Sequence, residues 1–235
     1  MNTPGPENEC TITAGDVSLS GFLDVPDDAA GIVVFAHGSG SSRFSRRNQA
    51  VAAFLREARL GTLLFDLLTS DEERVDVLTR EHRFDIPLLS RRLADAVRWV
   101  AKQPDVGELP VGLFGSSTGA AAALIVAAEL PDLVAAVVSR GGRADLAGEF
   151  LGKVQAPTLL IVGGADTEVL RLNRAADGQL VCTSEVAVIA GATHLFEEPG
   201  ALEQVSQRTR DWFLAHLRRD AGAGRQAGRE PGIAV

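Results

Sequence analysis

Apolar residues along the chain fall into two kinds of pattern. Some form short unbroken runs, and others recur every three or four positions. Ile32-Val33-Val34-Phe35-Ala36 is an unbroken run, which predicts a strand buried on both faces. Thr62–Phe65, Val111–Phe114, Leu133–Val138, Thr158–Val162 and Glu185–Ile189 also read as strands. Thr11–Asp24 alternates around Ala14-Gly15-Asp16, as a hairpin does. Between the strands the period changes. Arg47–Arg59 places Val51, Phe54 and Leu55 on one stripe, with Gly61 just past its end. Asp85–Gln103 does the same with Leu88, Leu89, Leu93, Val97 and Val100. Thr118–Leu130, Val169–Ala176 and Ala201–Arg218 complete the predicted helices, with a short one over Leu146–Val154.

Strands alternating with helices predict an α/β fold, a mostly parallel central sheet with helices on both faces. The opening hairpin adds an antiparallel edge. Residues 11–219 form the expected domain. Met1–Glu9 and Ala221–Val235 are rich in Gly, Pro and charge. They predict a flexible N-terminus over residues 1–10 and a disordered tail over 220–235. In open α/β sheets, sites form at the carboxyl ends of the strands, so the residues after each strand carry the information.

Composition narrows the function classes. The formal net charge is −8, and no dense Arg/Lys run offers a path for phosphates, which argues against nucleic acid as a partner. Cys10 and Cys182 lie far apart, outside any C-x-x-C, and do not suggest a disulfide framework or a zinc site. The N-terminal residues lack the basic start and apolar core of a signal peptide, and Gly119–Ala128 is too short to span a bilayer. A cytoplasmic protein without a membrane partner, monomeric or homodimeric, is expected.

The strongest chemical signal is Gly115-Ser116-Ser117-Thr118-Gly119, between a strand and an Ala-rich helix. That is the setting of a G-x-S-x-G nucleophile elbow, where a sharp turn requires small residues on either side of the serine. The hydroxyl then projects at a helix N-terminus, where peptide N–H groups favour developing negative charge. The bland alternative is an ordinary Gly/Ser turn into a helix.

A serine hydroxyl needs a base. Of His37, His82, His194 and His216, His194 follows the last strand in Gly191-Ala192-Thr193-His194, where a loop can carry imidazole to Ser117. The base needs an acid. Asp166 ends the strand Thr158–Val162 in Gly163-Gly164-Ala165-Asp166, with Glu168 as rival. Asp166 could instead cap the next helix. The order Ser117, Asp166, His194 is that of the α/β-hydrolase fold. An oxyanion hole would come from the Thr118 N–H and from the loop His37-Gly38-Ser39-Gly40-Ser41-Ser42, with Ser39 N–H as the second donor. His37 and Gly38 would line the substrate site from the same loop.

Arg140 and Arg143 follow a strand at the same edge and are candidate substrate-binding residues for an acidic group; internal salt bridges are the alternative. Arg43, Arg46 and Arg47 follow the oxyanion loop. Ser139–Pro157 is too short for a large cap, and the charged stretch Thr69–Phe84 reads as a solvated loop before it reads as a cover. No phosphate-binding Gly-rich fingerprint or metal cluster is present in the sequence, so no cofactor is expected.

Together these segments resemble the dienelactone hydrolase-like branch of the α/β-hydrolase superfamily over roughly residues 12–218. The resemblance rests on the His37–Ser42 loop, the Gly115–Gly119 elbow, Ser139-Arg140-Gly141-Gly142-Arg143, Gly163–Asp166 and Ala192-Thr193-His194-Leu195-Phe196. It implies a small, cap-less α/β-hydrolase acting on a small-molecule ester or lactone. Dienelactone hydrolases proper carry a cysteine where Ser117 stands. Similar domains also occur fused to phosphoribosyltransferases; the hydrolase domain alone is expected here. A thioesterase or acyltransferase would use the same machinery. A non-catalytic ligand-binding or scaffolding protein on the hydrolase fold is the rival from another class.

Overall fold

The computed structural model describes residues 8–217. The tail expected over residues 220–235 lies outside the described residues, as does most of the expected flexible N-terminus. Glu9 and Cys10, assigned to that N-terminus, instead open the first strand.

Eight strands form one sheet: β1 (Glu9–Ala14), β2 (Val17–Asp24), β3 (Gly31–Ala36), β4 (Leu60–Phe65), β5 (Val111–Ser116), β6 (Val134–Arg140), β7 (Thr158–Gly163) and β8 (Ser184–Ile189). Their order is β1-β2-β4-β3-β5-β6-β7-β8. β2 runs antiparallel to both of its neighbours, and every pairing from β4 through β8 is parallel. The helices are α1 (Arg46–Glu57), α2 (Ser70–Thr79), α3 (Ile86–Val100), α4 (Thr118–Glu129), α5 (Thr167–Asp177) and α6 (Ala201–His216).

Alternation along the central strands divides the core. Val33, Phe35, Phe114 and Val138 pack with Val51 and Leu55 of α1 and with Val205 and Phe213 of α6. Ile32, Val34, Leu113 and Val137 pack with α3 and α4 on the other face. Each strand is buried on both faces because a helix covers each, hence the unbroken apolar runs. β5 and β6 continue two residues further than their apolar runs, to Ser116 and Arg140, which lie opposite one another in register.

Two segments differ from expectation. The connection from β6 to β7 contains a 3₁₀ segment, Ala144–Lys153, broken at Gly148 where φ is 53°. No cap domain enters there. The charged stretch Thr69–Phe84 is not a solvated loop. It holds α2, opened by a reciprocal capping box in which the Thr69 hydroxyl accepts from Glu72 N–H and the Glu72 carboxylate accepts from Thr69 N–H.

Some charges of this stretch turn inward, while Asp71 and Arg74 pair on the exposed surface. Asp76 is fully buried and accepts from the backbone N–H groups of His82 and Arg83 and from Arg83 Nε at 2.6 Å. Burial alone would raise the Asp76 carboxyl, but these donors outweigh it and hold the pKa below its ordinary value. The pair therefore stabilises the fold fully above the unfolded pKa of about 3.9, and that contribution is lost as pH falls through the lower folded value. Asp76→Ala is expected to cost about 3 kcal/mol at neutral pH, because it strands the Arg83 guanidinium. Urea melts at pH 7 and pH 3 check this: the difference from wild type should shrink in acid.

Candidate active site

Ser117 sits between the end of β5 and the start of α4 with φ 50° and ψ −120°. That is a left-handed conformation that a side-chain-bearing residue adopts only under strain, here at the turn that projects the hydroxyl. The neighbouring glycines are required by contact. A Cβ on Gly115 would lie 2.4 Å from Ala120 Cα, and one on Gly119 would lie 2.2 Å from the Ala36 carbonyl oxygen. The turn is tied to the next strand on both sides. Ser117 N–H donates to the Arg140 carbonyl at 3.3 Å, and Arg143 N–H donates to the Ser117 carbonyl at 3.0 Å.

The second and third groups meet on neighbouring loops. His194 Nδ1 donates to Asp166 Oδ2 at 2.7 Å, which leaves Nε2 as the acceptor nitrogen. Asp166 occupies the position preceding α5, yet its side chain does not cap that helix. Glu168 is exposed and its carboxylate is matched by Arg171 at 2.7 and 3.0 Å. The loops carrying Asp166 and His194 are joined by Ala165 N–H to the Ala192 carbonyl at 2.9 Å. Gly141, directly after Arg140, passes beneath the imidazole: a Cβ there would lie 3.5 Å from His194 Cε1. Ser117 and His194 thus border the same turn at the carboxyl end of β6. The other histidines lie elsewhere: His82 is beside Glu81, and His216 is against the Trp212 ring.

The oxyanion loop passes against the nucleophile. A Cβ on Gly38 would be 3.0 Å from Ser117 Cβ. Ser41 N–H returns to the Gly38 carbonyl at 3.2 Å in a turn with Gly40 at φ 66°, leaving Ser39 at its crest. Thr118 N–H belongs to the first turn of α4, where backbone donors have no intrahelical acceptor. Beside this loop is a small pocket bounded by Gly38, Ser39, Gly40, Leu68, Glu73 and Arg83, so Glu73 of α2 and Arg83 after it line one of its sides.

Three candidate residues separate on their partners. His37 borders the same pocket, but both ring nitrogens are engaged by backbone: Nε2 accepts from Leu67 N–H at 3.0 Å, and Nδ1 donates to the Gly38 carbonyl at 2.9 Å. Burial pulls its pKa down, so the ring stays neutral and ties two loops together. Arg143 is held bidentately by Asp145 at 2.7 and 2.8 Å, an internal pair rather than a free cation. Arg140 is buried and, among the described residues, has no acid. Asn48 on α1 escaped the sequence reading. It is buried and accepts from the Ser116 hydroxyl at 3.1 Å, fixing the residue before the nucleophile across 68 positions of chain, a separation no local pattern encodes. Among the described residues, no three His, Cys, Asp or Glu groups gather as a metal site.

Known proteins resemble this chain to different depths. The model of the dienelactone hydrolase family matches residues 21–217. A solved dienelactone hydrolase from Anabaena variabilis superposes with a TM-score of 0.88 at 53% identity, covering 89% of this chain and 97% of that one. Est1E from Butyrivibrio proteoclasticus has the same fold, with a TM-score of 0.74 at 17% identity over 88% of this chain and 98% of its own. A Mycobacterium tuberculosis protein named “Putative phosphoribosyl transferase” is 56% identical over 214 residues, 91% of this chain but 47% of that protein. The chain thus spans about half the length of the curated relatives it matches.

Proposed function

The chain belongs to the dienelactone hydrolase family, with an α/β-hydrolase fold, and from that premise we propose that it hydrolyses carboxylic esters or lactones through an acyl-enzyme on Ser117. The observation that carries the reading is a strained serine at a strand–helix turn, bordered by an imidazole whose Nδ1 is held by Asp166.

Ser117 Oγ attacks the carbonyl carbon as its proton passes to His194 Nε2. The oxyanion is met by the N–H groups of Thr118 and Ser39. Asp166 keeps Nδ1 protonated and stabilises the imidazolium. His194 then gives its proton to the leaving alkoxide. Water, deprotonated by the same nitrogen, attacks the acyl ester, releases the acid and restores the serine. The β6–β7 connection is a short 3₁₀ segment and places no cap domain over the site. The phosphoribosyl transferase name belongs to proteins of which this chain matches 47%, and a serine facing backbone donors suits attack on a carbonyl rather than on a ribose carbon.

The test is a panel of short-chain esters, lactones and thioesters assayed with and without a serine-directed fluorophosphonate. Hydrolysis of esters or lactones, abolished by stoichiometric labelling at Ser117, is expected. No turnover and no labelling would favour the ligand-binding alternative; preferential thioester cleavage would move the assignment within acyl transfer.

A further inference from the structure

Other arginines turned into this fold each meet a carboxylate, although Arg43 and Arg92 also keep a buried Nε without an acceptor; among the described residues Arg140 meets none. Arg83 lies on Asp76, Arg92 on Glu72 and the Ala14 carbonyl, and Arg43 on Asp66. Arg140 is 9% exposed, and among the described residues no carboxylate pairs with it and its buried Nη1 has no acceptor. Its position is next to the proposed chemistry. It lies in register with Ser116, and its carbonyl takes the Ser117 N–H. Strand alternation sends its side chain to the face of Val138, the face on which Ser116 meets Asn48 of α1.

The charged neighbour there is a second cation. Arg47 precedes Asn48 in the first turn of α1, and its Nε is also buried without an acceptor. Its Nη1 reaches Glu197 at 3.0 Å, on a carboxylate 65% exposed to solvent. Burial and the nearby Arg47 charge bring the Arg140 pKa down to about 10, which still leaves it charged at neutral pH. Buried charges are normally paired, and an uncompensated guanidinium weakens a fold. An apolar side chain of similar length would be more stable here, so the charge calls for a partner that the described residues do not supply.

We propose that Arg140 and Arg47 form a phosphate-binding subsite beside Ser117, and that the ester taken by this site carries a phosphate group. Arg140 has no carboxylate partner among the described residues, and its charged neighbour Arg47 has only the solvated Glu197. A phosphate monoester offers three acceptor oxygens and up to two negative charges, which fills both donors; a carboxylate offers two oxygens and one charge. The substrate half of this inference rests on the reading of Ser117 as nucleophile. The anion half does not.

The experiment separates them. Thermal melts of wild type and of Ser117→Ala are run in low-millimolar inorganic phosphate against chloride at equal ionic strength. Phosphate is expected to raise Tm by about 3 °C or more in both. Arg140→Met should melt higher than wild type without phosphate and lose the phosphate response; Arg47→Met gives the same comparison if that variant does not fold. Hydrolysis is then followed on methyl 3-phosphonopropionate, monomethyl succinate and methyl butyrate. Wild type is expected to prefer the phosphonate. Arg140→Met should lose about 10- to 100-fold more kcat/KM on the phosphonate than on the butyrate, mostly through KM. A phosphate response that persists in both variants, or none in wild type, overturns the subsite. Preference for the succinate overturns the phosphate assignment, and equal losses on all three esters make Arg140 structural. A phosphate response that needs Arg140, in a protein that hydrolyses no ester, upholds the subsite and rejects the hydrolase reading.

Discussion

Replacing Ser117 by alanine is expected to lower kcat by about 10⁶-fold on any ester that the wild type hydrolyses, the scale seen when a triad nucleophile is removed. The fold should survive. The backbone at 117 is held by hydrogen bonds to Arg140 and Arg143 that do not involve the side chain, and alanine keeps the Cβ already accommodated against Gly38. Initial rates, with a thermal melt on the same preparation, check both parts. Residual activity above roughly a tenth of wild type would remove Ser117 from the nucleophile's role. Ser116 is a poor substitute, because its hydroxyl is buried and bonded to Asn48.

The second large effect separates two acids that lie two residues apart. Asp166→Asn should preserve the shape of the loop but offer an amide where His194 Nδ1 needs an acceptor. The imidazole then turns or changes tautomer, and kcat is expected to fall by about 10⁴-fold. Glu168→Gln should change kcat by less than about twofold, since that carboxylate is 66% exposed and engaged with Arg171 in a solvent-screened surface pair. Parallel kcat measurements on the two variants decide the matter. Comparable losses would mean that the acid is shared between them, and a loss confined to Glu168→Gln would reverse the assignment.

The strands that carry the candidate site were legible because burial on both faces leaves an unbroken apolar signature, as in Ile32–Ala36 and Thr158–Val162. Their ends were not, since Ser116 and Arg140 are polar residues that continue a strand only through pairing with each other's chain. α2 was hidden by its acids and arginines, which resemble a solvated surface until their partners are known. Its local mark, Thr69 with Glu72 three residues on, is a capping-box signature that can be read without a structure. Chain order admits both Asp166 and Glu168; the bond from His194 to Asp166 and the Arg171 partner of Glu168 distinguish them physically. Arg140 and Arg143 looked alike at the end of one strand. Asp145, two residues beyond Arg143, is a local partner; the lack of one at Arg140 depends on which elements surround it.

α4 is buried on every side from Thr118 to Ala127, a stretch rich in alanine. A segment so enclosed has no fraying route of its own, and its amides reach solvent only when the whole domain opens. The sheet edges at β1 and β8 and the charged turn after α2 can loosen separately, at much lower free energy. Hydrogen exchange would then find the nucleophile at the mouth of the most protected segment of the chain, and the groups around it on segments that open sooner. Ser117 is the fixed point of the site, and the protein's softness is left to whatever approaches it.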